Sequence, residues 1–479
     1  MTRALVVAAP ASGSGKTTVA TGLMAALTRR GTAVAPFKIG PDYIDPGYHA
    51  LAAGRPGRNL DPVLVGPDRI GPLVRHGSAG CEVAVIEGVM GLFDGRVSDG
   101  AGSTAQVAGL VGAPVVLVVD CRGQSRSLAA LLHGFRSFDP DTAIAGVILN
   151  RVGSPRHEEV LRAACDEVGL PVLGALPRRT ELAVPSRHLG LVTAAEHGRA
   201  ALAAVDAMAE LIAAHVDLDA VLGVARPLPP GETWDPTTAL APRVAPLDPR
   251  VAPLNPRVAP LNPRVAPLDP RVAHPAPRVR RPVTAMLGGP AFSFGYAEHV
   301  ELLEAAGSEV VLVDPLRDEA LPDGTGGLVL PGGFPEEHVA ALGENVKLLL
   351  AIRDLAAAGA PIRAECGGLL YLCRELDGIP LVGALDATAA MTGRLTLGYR
   401  DAVALTESSG FAAGARISGH EFHHCAVTPR AGAAPAWGWR GAEPEGFVQD
   451  GIHASFLHTH PAGDPGSVAR FVAAHPHAR

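Results

Sequence analysis

Two α/β domains separated by a proline-rich segment are what this 479-residue chain predicts. Three observations lead there. Residues 1–222 alternate continuous apolar, β-rich runs with helix-like stretches. From Val283 the same alternation resumes. Between them the heptad PRVAPLD or PRVAPLN recurs with proline at two positions in each copy. Proline lacks the amide donor and clashes with the preceding turn, so the repeat is no coiled coil despite its period.

The N-terminal strands are Ala4–Pro10, Ala33–Lys38, Glu82–Gly88, Pro114–Asp120 and Ala143–Asn150. Such wholly apolar runs suit a sheet covered on both faces and mostly parallel. Helices are expected at Lys16–Arg30, Ser127–Phe135 and Arg156–Val168. The opening RALVVAAPA has the look of a short signal peptide, but it runs straight into a glycine-rich loop and reads as the first strand. Gly100–Val119 is uncharged and of membrane length, yet Ser103, Thr104, Gln106 and Pro114 divide it into a helix and a buried strand. The repeat reads as an extended, positively charged spacer from Pro227 to Pro282, within a linker spanning 223–282. Beyond it, Val283–Leu287, Ser308–Asp314, Gly326–Gly333 and Ala360–Cys366 read as strands. Helices fall near Tyr296–Ala306, Asn345–Ala358 and Gly368–Leu376, and the last hundred or so residues mix short strands and turns.

Composition excludes several classes. Hydrophobic residues make up 47% and charged residues 19%, ordinary for a globular enzyme. A net charge of −7 gives no general basic field for nucleic acid. Six cysteines lie scattered without a CxxC pair, which suits a reducing cytoplasm. A soluble cytoplasmic protein is expected, with no membrane partner.

The segment PASGSGKTT fits the phosphate-binding pattern G-x-x-x-x-G-K-[ST], except that Pro10 stands at the first glycine. Gly13, Ser14 and Gly15 would let backbone amides approach phosphate oxygens, with Thr18 continuing the loop into the helix. Lys16 would reach the β- and γ-phosphates and Thr17 would ligate Mg²⁺. After the second strand, FKIGPDYIDPGYH gathers Lys38, Asp42, Tyr43, Asp45 and His49. Asp42 is a metal candidate there and Lys38 a partner for phosphate or a substrate carboxylate, although an Asx-rich turn explains the same residues. Glu87 ends the third apolar strand where a second metal carboxylate would sit, and Asp94 projects from the glycine-rich loop beyond it.

In the C-terminal half, PIRAECGGLLYL places Cys366 between a strand and a helix, followed by Gly367 and Gly368. This is the strand–nucleophile–helix elbow with a thiol, whose pKa the helix N-terminus is expected to lower. LPGGF at Leu330–Phe334 would supply oxyanion-hole amides, Gly333 with Gly367. His458 and His460 in ASFLHTHP are the candidate bases. Cys373 lacks the elbow and is assigned to packing. Strand alternation would scatter the histidines of GHEFHHC, so no metal is assigned there.

Taken in order, ASGSGKTT, K-x-GPDYIDP, NLD at Asn59–Asp61, EGVMGLFDG and PSRHLGL at Pro185–Leu191 resemble the cobyrinic/hydrogenobyrinic acid a,c-diamide synthase family. The resemblance covers both globular parts and excludes the repeat. It implies a dethiobiotin synthetase-like domain at 1–222 that activates carboxylates with ATP. It implies a class I glutamine amidotransferase domain at 283–479. The implied reaction is amidation of the a and c carboxylates of a corrinoid through an acyl phosphate, with ammonia from L-glutamine, in cobalamin biosynthesis. By the resemblance Thr17, Asp42 and Glu87 hold Mg²⁺, and Asn150 reads adenine. Lys38, Tyr43, Asp45, Asp94 and the Arg187–His188 pair face the macrocycle. His458 matches the family's histidine, with His460 second; the slot usually carrying the triad carboxylate is His460 itself, so no third member is evident. A homodimer is an allowed assembly. The alternatives within the superfamily are nickel-sirohydrochlorin a,c-diamide synthase and cobyric acid synthase. The alternative of another class is a P-loop scaffold or partitioning ATPase with an inactive amidotransferase domain.

Overall fold

In the computed structural model, residues 1–178, 186–187, 190–191, 193–241 and 281–476 are described. The heptad repeat and His188 lie outside them, and Arg187 is described only as backbone in a short antiparallel pair with Gly190–Leu191.

Alanine, valine and leucine fill β1 (Arg3–Ala8), where Leu5, Val6 and Val7 are wholly buried. A strand apolar on both sides needs cover on both faces. It lies inside the order β3 (Arg58–Leu60), β2 (Val34–Ile39), β4 (Val83–Glu87), β1, β5 (Val115–Asp120), β6 (Ile144–Val152), β7 (Val172–Pro177), with every neighbouring pair parallel. The order reverses beside β1, so the carboxyl ends of β1, β2 and β4 open into one crevice, where α/β sheets place ligands. Register puts Lys38 and Val7 on either side of Glu87. The expected helices are present at Lys16–Arg29 (α1), Ser127–Phe138 and Pro155–Glu167. Gly100–Val119 contains helix Thr104–Val111 followed by β5. No helix among the described residues is long and apolar enough to cross a membrane.

The C-terminal core is a second mostly parallel sheet, ordered Glu309–Val313, Val283–Leu287, Thr325–Leu330, Ile362–Glu365, Ile452–Ser455, with Phe447–Gln449 antiparallel at its edge. A further sheet contains a long hairpin, Thr388–Ala404 against Arg416–Thr428, and His458–Thr459 at its border. Short strands and turns were the expectation there; the sequence of the hairpin lacks a clean apolar alternation because much of Thr388–Ala404 is exposed. The helix after Cys366 ends at Leu372, short of the expected Leu376, because Cys373 turns extended and Glu375–Leu376 forms a strand.

One segment departs from the expected spacer. Arg226–Pro227 pairs with β1, Trp234 is buried with its ring edge-on to His76, and helix Pro236–Leu240 packs against helices Ala297–Ala305 and Pro465–Ala473. A buried tryptophan outweighs local proline content and ties 226–241 to both halves. Helix Leu218–Val224 also runs through the boundary expected at 222. The halves meet through polar contacts as well: Arg58 donates to Glu298 at 2.7 Å and pairs with Glu301, and Tyr399 donates to Asp61 at 2.9 Å.

Candidate active sites

The loop between β1 and α1 turns sharply enough that Gly13 and Gly15 take φ of 77° and 96°. A side chain at Gly15 would also strike the Asn150 amide at 2.3 Å. Asn150 donates to the Ser14 carbonyl (2.8 Å) and Arg151 to the Gly13 carbonyl (3.0 Å), so the end of β6 braces the loop. Asn150, expected at adenine, is here engaged with the loop itself. Lys16 is buried and donates to the Met90 carbonyl, while Thr18 follows on α1.

Thr17, Lys38, Asp45, Glu87 and His49 meet in the crevice. Thr17 Oγ1 donates to Glu87 Oε1 at 2.7 Å and lies 3.3 Å from Asp45 Oδ2. Lys38 Nζ bonds Asp45 at 2.6 Å and Glu87 at 2.9 Å, and His49 Nε2 donates to Glu87 Oε2 at 2.7 Å. Burial would strip the proton from Lys38, but the Asp45 and Glu87 carboxylates outweigh it and hold the ammonium charged. Burial also opposes ionisation of Glu87, and Lys38 and His49 reverse that, holding its carboxyl below the usual range.

The structure distributes the acidic roles differently from the expectation. Asp42 accepts from the Ile44 and Asp45 amides at 2.8 and 3.0 Å, forming the Asx turn, and its free oxygen is 3.9 Å from Lys38. Asp45, expected at the macrocycle, is the aspartate beside Thr17. Lys38 faces these carboxylates rather than open space. Asp94 is exposed on its loop and accepts from the Gly91 amide at 2.9 Å.

A metal fit follows from the donors. Among the described residues no three His, Cys, Asp or Glu side chains form a metal cluster. The Thr17 hydroxyl with the Asp45 and Glu87 carboxylates nevertheless makes a hard oxygen set suited to Mg²⁺, which keeps several positions for water and phosphate oxygens.

The second centre starts at Cys366, where φ is 49° and ψ −103° for a residue with a side chain. Such strain persists at a nucleophile elbow, which the fold must over-determine. The Cys366 amide donates to the Ser455 carbonyl at 2.7 Å, and the sulfur faces the Phe422 carbonyl at 3.8 Å. Gly333 packs so closely that a Cβ would lie 2.1 Å from the Ala291 carbonyl oxygen, and a Cβ on Gly367 would lie 3.0 Å from the Gly333 amide nitrogen. The two proposed oxyanion amides are therefore neighbours. The thiol pKa runs against expectation. Burial, with Cys425 and Glu336 nearby, pushes it well up, and the Gly367 amide opposes this only in part. A six-residue helix supplies too little dipole to offset full burial.

His458 is wholly buried against Gly332 and is pushed down to about 3 by burial, with His420 and His423 adding to the effect. Its Nδ1 lies 4.0 Å from Glu365 Oε2. His460 instead lies on the Tyr296 ring at 4.1 Å, with Nδ1 accepting from the Ala462 amide at 3.2 Å. Glu365 is a carboxylate that sequence reasoning missed. It immediately precedes the nucleophile, and the signal was its charge at the end of an apolar strand, the same signal that marked Glu87. It also accepts from Thr459 at 2.9 Å and pairs with Arg363 at 3.1 Å.

Tyr43 joins the centres. It is buried, stacks on Phe294 at 4.7 Å, lies 5.0 Å from the His458 ring and shares a 2.7 Å hydrogen bond with Tyr296. Two residues along, Asp45 reaches Thr17 and Lys38. The short stretch from Tyr43 to the start of helix Asp45–Ala53 thus touches both centres. Tyr43 also borders a cleft of about 510 Å³ between the halves.

Two family models match successive parts of the chain. Residues 5–192 match the CobQ/CobB/MinD/ParA nucleotide binding domain, and residues 284–465 match the CobB/CobQ-like glutamine amidotransferase domain. The chain is 59% identical to the hydrogenobyrinate a,c-diamide synthase of Streptomyces coelicolor, over 98% of this chain and 96% of the relative. It is 56% identical to that of Mycobacterium tuberculosis, over 98% and 97%. It is 37% identical to the cobyrinate a,c-diamide synthase of Synechococcus, over 98% of each. Identity of this extent across both domains establishes that the chain belongs to the hydrogenobyrinate a,c-diamide synthase family.

Proposed function

We propose that this chain amidates the a and c carboxylates of hydrogenobyrinic acid, using ATP and glutamine-derived ammonia. The observation that carries the reading is the pair of centres joined through Tyr43: a phosphate loop with a carboxylate crevice, and a strained cysteine elbow and a buried histidine packed on the same Gly332–Gly333 turn. A carboxylate cannot be displaced by ammonia directly, since its leaving group would be oxide. Attack of the substrate carboxylate on the γ-phosphorus releases ADP and leaves an acyl phosphate; ammonia then attacks the acyl carbon and phosphate departs.

The loop amides of Gly13 and Gly15 and the Lys16 ammonium bind and orient the phosphates. Thr17, Glu87 and Asp45 would hold Mg²⁺, with Asp42 shaping the loop behind them. The ion would supply charge neutralisation at the transferring phosphoryl group. Lys38 bridges the two carboxylates and holds Glu87 ionised, while burial, with Asp42 and Glu87 nearby, pushes the Asp45 carboxyl well above its usual range against the pull of Lys38. Asp94 and Arg187 remain the residues assigned to the macrocycle, and Asn150 to the loop and the nucleotide base.

At the second centre, the Cys366 sulfur attacks the glutamine amide carbon. The Gly333 and Gly367 amides receive the developing oxyanion. His458 carries the thiol proton to the departing ammonia, leaving a thioester that water cleaves to glutamate. Burial favours the neutral thiol and the neutral imidazole, so the thiol proton is to be given up as the sulfur attacks. His458 is preferred over His460 because Glu365 stands behind it. Tyr43, packed on His458, serves the union of the two centres rather than the substrate. The test is the product mass from hydrogenobyrinic acid, glutamine and Mg-ATP. Two amidations support the proposal; no mass change, or more than two amidations, contradicts it.

A further inference from the structure

Strand Thr388–Ala404 bulges between Met391 and Thr396, where Thr392 Oγ1 accepts from the Arg394 amide at 3.4 Å. Thr392, Arg394 and Thr396 line a groove of about 740 Å³, which Arg400, Arg430 and Arg440 also line. Two carboxylates, Asp401 and Glu421, share the lining. Glu421 is already neutralised by Arg400 at 2.6 Å. Arg394, Arg430 and Arg440 are exposed and have no ion-pair partner among the described residues. The groove is therefore locally cationic in a chain whose net charge is −7.

Its ends are chemically distinct. Cys425 and Phe456 line one end, and Cys425 lies on the strand whose Phe422 carbonyl faces the Cys366 sulfur. At the other, Tyr399 donates to Asp61 of the nucleotide domain, and a Cβ on Gly102, in the loop beyond Asp94, would lie 3.6 Å from the Tyr399 hydroxyl. Trp439 adds a flat apolar surface to the wall, with the Arg400 guanidinium 5.9 Å from its ring centre. A groove of this size, with guanidiniums around an indole, fits a flat apolar ring bearing a rim of carboxylates. Guanidiniums grip carboxylates through paired donors, and the indole face accepts a stacked ring.

We propose that this groove holds the substrate macrocycle by its non-reacting carboxylates, with Arg394, Arg430 and Arg440 as the contacts. The inference rests on the proposed function. It gives the amidotransferase domain a second role, that of presenting the macrocycle to the phosphate loop across the domain boundary. The carboxylates gripped here are withheld from amidation, which limits the reaction to those that reach the crevice.

A carboxylate reaching these arginines could instead be the α-carboxylate of glutamine, and two assays on the full chain separate the sources. Ammonia-supported amidation reads the macrocycle alone, and glutamine hydrolysis without corrinoid reads glutamine alone. For the paired substitution Arg394→Gln with Arg440→Gln, the KM for hydrogenobyrinic acid is expected to rise at least about tenfold in the ammonia assay. The KM for glutamine stays within about twofold, and the Arg→Lys pair recovers part of the loss. Equilibrium dialysis of hydrogenobyrinic acid against the nucleotide-free protein should show the same weakening. A raised glutamine KM with corrinoid binding unchanged, or no change in either, overturns the proposal. Absence of diamide product from the wild type would instead strike the proposed function.

Discussion

The phosphate-loop centre and the cysteine centre are both buried, yet one is built from charges and the other from neutral groups. Lys38 stays charged because Asp45 and Glu87 surround it. Cys366 and His458 are driven towards their neutral forms by burial, which finds no comparable partner. The difference matches what each must do. A charged crevice is organised before a metal nucleotide arrives, and stays organised between turnovers. A thiol kept protonated is a poor nucleophile until glutamine fills the site, which protects it from idle chemistry.

The comparison breaks most sharply at Lys16. Lys16→Ala should lower diamide formation by about a thousandfold or more with either glutamine or ammonia, since both need the acyl phosphate. Glutamine hydrolysis without corrinoid should persist; its loss would show that the centres are not separable.

Next in size is Glu365→Gln. If the carboxylate orients His458, glutamine-supported turnover should fall about 10- to 100-fold with ammonia-supported turnover unchanged. A fall in both assays would indicate structural damage instead. Glu365 also shows why part of the site escaped the sequence. The elbow around Cys366 is local, so its strand, glycines and helix were legible together. The approach of Glu365 to His458 depends on where Ile362–Glu365 and His458–Thr459 are set by two different sheets. Likewise Asp42 lies in a loop and Asp45 opens the helix Asp45–Ala53 that follows it, and only the Asx turn decides which is left to face Thr17. The parallel sheets were legible because burial on both faces leaves an unmistakable run of apolar residues. The Thr388–Thr428 hairpin was not, since much of its first strand is exposed, and the docked 226–241 segment was not, since packing between the halves decides it.

A smaller effect is expected at the junction. Tyr43→Ala removes the ring packed on His458 and the hydrogen bond to Tyr296. The glutamate formed per amide made should rise about two- to fivefold, while Tyr43→Phe, which keeps the stacking, should fall between. An unchanged ratio would exclude Tyr43 from coupling.

The mildest test is of stability against pH. Burial pushes His299, His453 and His458 down to about 3 and His420 and His460 to about 4. Unfolded, each takes up a proton near its ordinary value of about 6.5, so at pH 5 the unfolded chain binds more protons than the native one. Their stabilisation is complete above about 6.5 and is lost as pH falls towards 4. Glu445, raised to about 7, and Asp61, raised to about 6, both mainly by burial, act in the opposite sense but are fewer. The unfolding midpoint should drop by roughly 5 °C or more between pH 7.5 and pH 5. A flat profile would mean that these histidines are not buried neutral.

The most direct measurement of the two-centre account is diamide formation by Cys366→Ala with each nitrogen source. The account predicts that glutamine-supported synthesis falls by at least about a thousandfold. Synthesis at high ammonium should remain within about twofold of the wild type, because carboxylate activation does not involve the thiol. Equal loss with glutamine and ammonia would contradict the division of labour between the phosphate loop and Cys366.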